Sequence, residues 1–317
     1  MQIRVLLQEH PPYAGEGVLC LVVCTSSAKL VSIMVGVLAQ AGSFLHMLLG
    51  GSVARAAEEV PHAAEEAAHG SGIHVVLKAE EVFNVLGFPI TNSLLMTWIT
   101  MAVLIIFALL FRRKLAMIPG KLQAGVEWLF EGIMNYMTEI LESEKLARRF
   151  FPLIMTIFLF VLVANELAFL PGIGSIGVDN GHGGLTPLLR APSADLNLTL
   201  ALAIISFLTI EIAGVVALGF FKYWGRYVNF TSPVNFVVGI IELLSNVGRL
   251  ISFSFRLFGN VFAGEVMIVV AMFFVAYLLP VPLMAFEVFV GFIQAVVFAM
   301  LTLFFIKLSI TDPHESH

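Results

Sequence analysis

Residues 92–111 read NSLLMTWITMAVLIIFALLF, twenty positions without a charge, and Arg112, Arg113 and Lys114 follow at once. About 20 apolar residues cross a bilayer as a helix. A basic cluster at one end of such a span marks the cytoplasmic side, so Asn92 is expected outside. The composition agrees with a chain built for lipid. Of 317 residues, 59% are hydrophobic and 12% are charged, against about 25% charged in soluble domains. The mean hydropathy is +0.96. So much apolar surface excludes a disordered chain. A net charge of -5 with no basic stripe excludes nucleic-acid binding. Cys20 and Cys24 both lie near the start, so neither a disulfide framework nor a metal cage holds the body.

Downstream, Pro119 to Arg149 mixes charges with Leu122, Val126, Leu129, Ile133, Tyr136 and Ile140 at spacings of three or four. That is one face of a helix too charged to span, expected to lie on the cytoplasmic surface. Phe151 to Pro171 is the second span. Gly172 to Ala194 is a loop with a single base, Arg190, which suits the outer side. Leu196 to Phe221 returns with Glu211 inside it, and Lys222 and Arg226 mark the cytoplasm. Pro233 to Leu278 is largely apolar but carries Glu242, Arg249, Arg256 and Glu265 before the break at Pro280 and Pro282. As one helix it would measure about 69 Å against an apolar core of about 30 Å, so it must kink or tilt. Leu283 to Ile306 closes the set, interrupted by Glu287 and ended by Lys307.

The expected fold is an all-α membrane protein. Five transmembrane helices form the body, the last two a long tilted hairpin, and an amphipathic helix lies on the cytoplasmic surface. The membrane domain covers 92–310, with a short cytoplasmic tail at 311–317. Residues 57–91 form an extracytoplasmic linker. Its Glu58, Glu59, His62, Glu65, Glu66, His69 and His74 fit no standard metal spacing and read as a solvated acidic stretch. Leu30 to Ala54 is uncharged and leads into Ala54-Arg55-Ala56. Residues 1–56 therefore read as a signal peptide or an extra membrane segment, with Met34 an alternative start.

A charge inside a bilayer costs from about 3 kcal/mol upward, so intramembrane charges default to function. Glu242, Arg249 and Arg256 recur every seven residues and share a helix face, with Asn260 on it too. Glu265 lies about 180° away and about 13.5 Å along the axis, which rules out an Arg256–Glu265 bond within one helix. On the next helix Glu287 and Gln294 share a face. In an antiparallel register Arg256 can face Gln294 while Glu265 faces Glu287. Two carboxylates facing each other in low dielectric share a proton, the makings of a relay.

The stretch SFRLFGNVFAGE, residues 254–265, closely resembles the motif of the a subunit of F-type ATP synthases. PGKLQ at 119–123, NELAFLP at 165–171, PSADLN at 192–197 and PVN at 233–235 match the same family in order. The likeness runs from about Phe88 to Lys307. It implies a stator subunit beside a rotating ring of c subunits, with two offset half-channels that carry ions to and from the ring's carboxylates. Arg256 matches the family's essential arginine. A guanidinium keeps its proton, and at about 4 Å and an effective dielectric near 20 it favours an ionised rotor carboxylate by about 4 kcal/mol.

The resemblance also places Asn260, Glu265 and Gln294 on the proton path, and Glu287 where the family commonly has a His. Asn165, Ser193, Asp195 and Asn197 match the lining of the outer path. For Ser193 and Asp195, capping of the helix near Leu196 is an equal expectation. Glu242 and Arg249 are expected near the cytoplasmic half-channel or paired together, and Glu211 toward the rotor or the long helix. Implied partners are the c-ring, the peripheral-stalk b subunits against the surface helix, the other ATP synthase subunits, and the bilayer. No cofactor or metal is implied.

A stand-alone ion channel or secondary transporter is the alternative, but no internal repeat of the transporter kind is visible. An intramembrane hydrolase needs a nucleophile with its base or a metal set, and no His falls in the five spans. The chain has no phosphate-binding Gly-x-x-x-x-Gly-Lys-Ser/Thr loop, so a non-catalytic subunit without direct nucleotide binding is expected. A multi-pass place in a bacterial plasma (inner) membrane follows, with the mature N-terminus extracytoplasmic and the C-terminus cytoplasmic. Proton and sodium stay open, since the rotor carboxylate's surroundings set that choice.

Overall fold

The computed structural model describes residues 81–85, 88–113, 120–169, 177–179, 185–187, 189–227, 233–275 and 278–311. The signal-like segment at 1–56, the linker as far as residue 80 and the tail from 312 lie outside the described residues, and with them every His of the linker. The body is helical: α1 Asn92–Arg113, α2 Lys121–Leu141, α3 Glu144–Ala168, α4 Leu196–Leu218, α5 Phe220–Tyr227, α6 Pro233–Phe274 and α7 Pro280–Ile310. A 3₁₀ turn at Pro192–Ala194 precedes α4. Five of these helices are long and apolar enough to span a membrane. Two short antiparallel hairpins join them, β1 Glu81–Val85 with β2 Phe88–Thr91 and β3 Gly177–Asp179 with β4 Leu185–Pro187. The sequence suggested neither.

The helix boundaries differ from expectation where a local break was silent. The Pro119–Arg149 stretch is two helices. Glu142 adopts a left-handed φ of 53° and ends α2, and α3 starts at Glu144, ahead of the expected Phe151. The buried face of α2 includes Met137 and Leu141, while Tyr136 stays exposed. The face is thus rotated by about one position from the periodicity. Pro280 opens α7 at a position where a missing N–H costs nothing; the helix therefore begins before the expected Leu283. Gly219, at φ 85°, makes the turn from α4 into α5, where the sequence had carried the span on to Phe221.

The long segment is one continuous α-helix of 42 residues, about 63 Å at 1.5 Å per residue. Its length requires strong tilt or protrusion from a core of about 30 Å. Helix α7 packs on α3, α4 and α6, and α4 packs on α6. Between them lie Phe151, Ile154, Phe158, Leu202, Phe253, Leu257, Phe298 and Leu303. Several buried hydroxyls are satisfied within their own helices, while Ser309 donates to Ile210 O of α4 and Ser206 Oγ has no partner among the described residues. Thr100 donates to Met96 O, Thr156 to Pro152 O and Thr302 to Phe298 O, as lipid demands of any polar group at depth. The outward faces carry Ile106 and Leu110 on α1 and Phe273 and Phe274 on α6, apolar surface suited to acyl chains.

Candidate functional site

Charged and amide side chains gather along α6 and α7 toward the end where α1 and α4 begin. Arg256 is exposed on α6 and donates from Nη2 to Ser252 Oγ one turn earlier, at 3.4 Å. Among the described residues it makes no ion pair. The helix surface next to it is open: a Cβ added at Gly259, three residues on, would meet nothing within 4 Å. Two residues before it, Ser254 and Thr199 hydroxyls lie 3.2 Å apart and tie α6 to α4.

Glu265 turns the other way, as its helical angle requires. Its Oε2 accepts from Arg190 Nε at 3.3 Å and Nη2 at 3.2 Å. Arg190 was the one base in the outer loop, but nothing in its local sequence named Glu265, 75 residues away, as its partner. Glu287 is 4% exposed, and its carboxylate rests on Gly264, where any Cβ would overlap it. The antiparallel register expected for α6 and α7 is therefore the one observed. The Glu265 carboxylate is nevertheless taken by the guanidinium, and among the described residues no hydrogen bond joins the two acids. A charge-assisted pair is the stronger option for an ionised group.

Asn260 Nδ2 and Gln294 Nε2 are buried without a hydrogen-bond partner among the described residues. Gln294 is not bonded to Arg256, which the register had set opposite it. Buried amide donors left open are costly and rare, and here both fall on the charged faces. Asn165 is fully buried, donates from Nδ2 to Gly291 O at 3.3 Å and accepts from Ser193 Oγ at 2.7 Å. It pins α3 to α7 and to the 3₁₀ turn. Asp195 settles as the cap: Oδ1 accepts from Asn197 N at 2.9 Å, while Oδ2 accepts from Ser93 Oγ at 2.6 Å. The Asn197 side chain is exposed.

A second polar group lies at the far end of the same helices. Glu211 Oε2 accepts from the Tyr223 hydroxyl at 3.0 Å, and its Oε1 lies 3.5 Å from Asn246 Nδ2. Glu211, expected toward the rotor or the long helix, is bonded first to α5 and reaches the long helix through Asn246. Asn246 Nδ2 also donates to the Tyr227 hydroxyl at 2.6 Å, and Tyr227 donates to Tyr223 at 3.2 Å. Burial pushes both phenols up from their ordinary value. Arg249 stacks its guanidinium over the Phe305 ring of α7, 4.9 Å from the centroid. Glu242 is half-buried one turn before Asn246.

The profile described as ATP synthase A chain matches residues 94–307, nearly the whole helical body. The chain belongs to the ATP synthase A chain family. The ATP synthase subunit a of Desulforamulus reducens is 34% identical over 267 residues, covering 77% of this chain and 94% of that relative. ATP synthase subunit a 3 of Pelobacter propionicus is 32% identical over 220 residues, 69% of this chain and 87% of the relative. The subunit of Campylobacter concisus is 31% identical over 218 residues, 68% and 88%. As a member of the F-type ATP synthase subunit a family, this multi-pass chain belongs with ATP synthesis and ion transport in a membrane. The matched region holds Arg256, Glu265 and Glu287, and also Arg190, which sequence reasoning had left as a lone loop base.

Proposed function

We propose that this chain is the stator of the membrane sector and supplies two offset half-channels, through which ions reach and leave the carboxylates of a rotor c-ring. A proton is the expected cargo. The observation that carries this is the division of charge on α6. Arg256 stands exposed and without a carboxylate among the described residues, three positions before the open Gly259. Glu265, on the opposite side, points into the helix bundle toward Arg190. A permanent cation on an outward face is where a mobile carboxylate could meet it. The acids on the inward side and the unpartnered Gln294 of α7 would conduct the ion toward that point, with Asn260 on the Arg256 face at the end of the route.

In this scheme Glu265 and Glu287 relay the proton, and Asn260 and Gln294 hydrogen-bond along its route. Asn165, Ser193 and Asp195 frame the path at the α1 and α4 start, with Asn197 at its mouth. Glu211, Glu242 and Arg249 belong to the opposite, cytoplasmic end. Arg256 strips a proton from each arriving rotor site by favouring its ionised form, and bars direct passage between the two paths. Helix α2 serves as the contact for peripheral-stalk b subunits. Nucleotide chemistry belongs to other subunits, and the membrane is a bacterial plasma membrane with the C-terminus inside.

The test is ATP-driven proton pumping in inverted vesicles carrying the whole complex, wild type against Arg256→Ala, with ATP hydrolysis followed in parallel. Pumping is expected to vanish with the complex still assembled. Pumping at the wild-type rate would make Arg256 a structural charge and sink the mechanism, leaving the stand-alone channel or transporter reading to be tested on the isolated chain.

A further inference from the structure

Helix α3 holds a carboxylate that the scheme above does not use. Glu166 lies within the candidate span Glu144–Ala168, half-buried. Among the described residues its carboxylate has neither an ion-pair nor a hydrogen-bond partner. An acid inside a membrane span is costly to keep and defaults to function. Its Oε1 lies 3.8 Å from where a Cβ on Gly291 would stand, beside Asn165, whose Cβ is 3.2 Å from the same point. Gly291 is thus a notch in α7 that admits the α3 side chains. A second notch, Gly264 in α6, admits the Glu287 carboxylate.

Gly291 follows Glu287 by four residues, one turn or about 6 Å along α7, and lies on the same face within about 40°. In the antiparallel register, Gly291 also stands near the level of Asn260, one turn from Arg256. Two glycine notches therefore set Glu166 between the level of Glu287 and that of Arg256. The charged groups on the elements around α3 here are Glu287 of α7, Glu265 of α6 with its partner Arg190, and Asp195 at the head of α4.

We propose that Glu166 is a third proton-carrying carboxylate of the path, seated at the Gly291 notch one turn from Glu287. It takes a proton from the Glu287 side as carboxylate and releases it toward Asn260 and the rotor site, ending each cycle unprotonated. This rests on the half-channel scheme of the preceding section.

The whole complex in vesicles, with the catalytic sector stripped, gives passive proton flow as a function of pH. Glu166→Gln is expected to cut flow several-fold with the complex present at wild-type amount. Glu166→Asp is expected to restore most of it, with a displaced flow–pH curve that a merely structural residue would not produce. Wild-type flow in Glu166→Gln at every pH overturns the proposal. If Glu166→Gln fails to assemble, Glu166→Asp decides: a displaced curve supports the relay role, and an unchanged curve overturns it. Arg256→Ala in the same vesicles separates the two failures. Should Arg256→Ala block flow while Glu166→Gln conducts normally, only the assignment of Glu166 falls. Should both behave as wild type, the half-channel scheme falls with it.

Discussion

Arg190 grips Glu265 from a segment 75 residues earlier, placing both Nε and Nη2 within 3.3 Å of Oε2. Arg256, nine residues before Glu265 on the same helix, is left to the outward face. One helix thus separates a paired acid from an unpaired cation, and the two sides of α6 do different work.

Arg190→Gln is expected to slow ATP-driven pumping several-fold. The acid loses its cation, and a half-buried carboxylate without a partner must shed its charge or recruit water. Arg190→Lys should recover part of the rate, since a point charge replaces the fork without its two-bond geometry. Pumping at several pH values in inverted vesicles checks this. An unchanged rate and pH profile in Arg190→Gln would show the pair to be a passive link.

Gly264→Ala is expected to abolish most proton flow. The new methyl meets the Glu287 carboxylate, and overpacking of this kind costs about 1–3 kcal/mol. The shorter acid of Glu287→Asp should relieve the clash, so the double variant is expected to conduct better than Gly264→Ala alone. Failure of that rescue, with both complexes assembled, would place Glu287 elsewhere. Glu287→Gln, nearly isosteric, then tests titration apart from fit.

Tyr223→Phe removes the hydroxyl that donates to Glu211, a bond to a charged group worth about 1.5–3 kcal/mol. The thermal midpoint of the detergent-solubilised complex should fall. Both phenols are raised above the ordinary 10.0 by burial first. A raised acid stabilises the fold fully below its unfolded value, near pH 10. That contribution is lost as pH climbs through the folded value. The ultraviolet titration difference between wild type and Tyr223→Phe should therefore show no phenolate step at pH 10. A step there would mean the Tyr223 ring is solvated.

Asp195→Ala loses the cap on α4, a change worth about 1 kcal/mol, and also the Ser93 contact that ties α4 to α1. Increased proteolysis of the segment before Leu196 in vesicles is the expected sign. Equal protease resistance in the two complexes would deny the cap a stabilising role.

Much of the architecture was legible before any coordinate. The five spans follow from long apolar runs, only the first of them free of charge, and the long Pro233 helix from the lack of any break before Pro280. The level of α7 against α6 followed from matching charged and amide positions at helical spacing, although neither expected pair, Arg256 with Gln294 or Glu265 with Glu287, is bonded. The break at Glu142 was not legible, since a left-handed non-glycine residue leaves no local mark. Neither was α5, whose eight residues are too short for periodicity to speak.

By itself the sequence determined that this is a membrane-spanning chain, which helices cross, and that Arg256 and Glu265 cannot meet within one helix. Those are matters of composition and of 100° per residue, both local. Only the tertiary structure decided that Glu265 pairs with Arg190, that Asp195 caps α4 while Ser193 holds Asn165, and that Glu211 bonds to Tyr223 and approaches Asn246. It alone also showed that Glu287 and Glu166 each lie against a glycine of a neighbouring helix. Such contacts join residues far apart in the chain. They depend on where packing leaves a gap the width of a missing Cβ, which no single segment encodes.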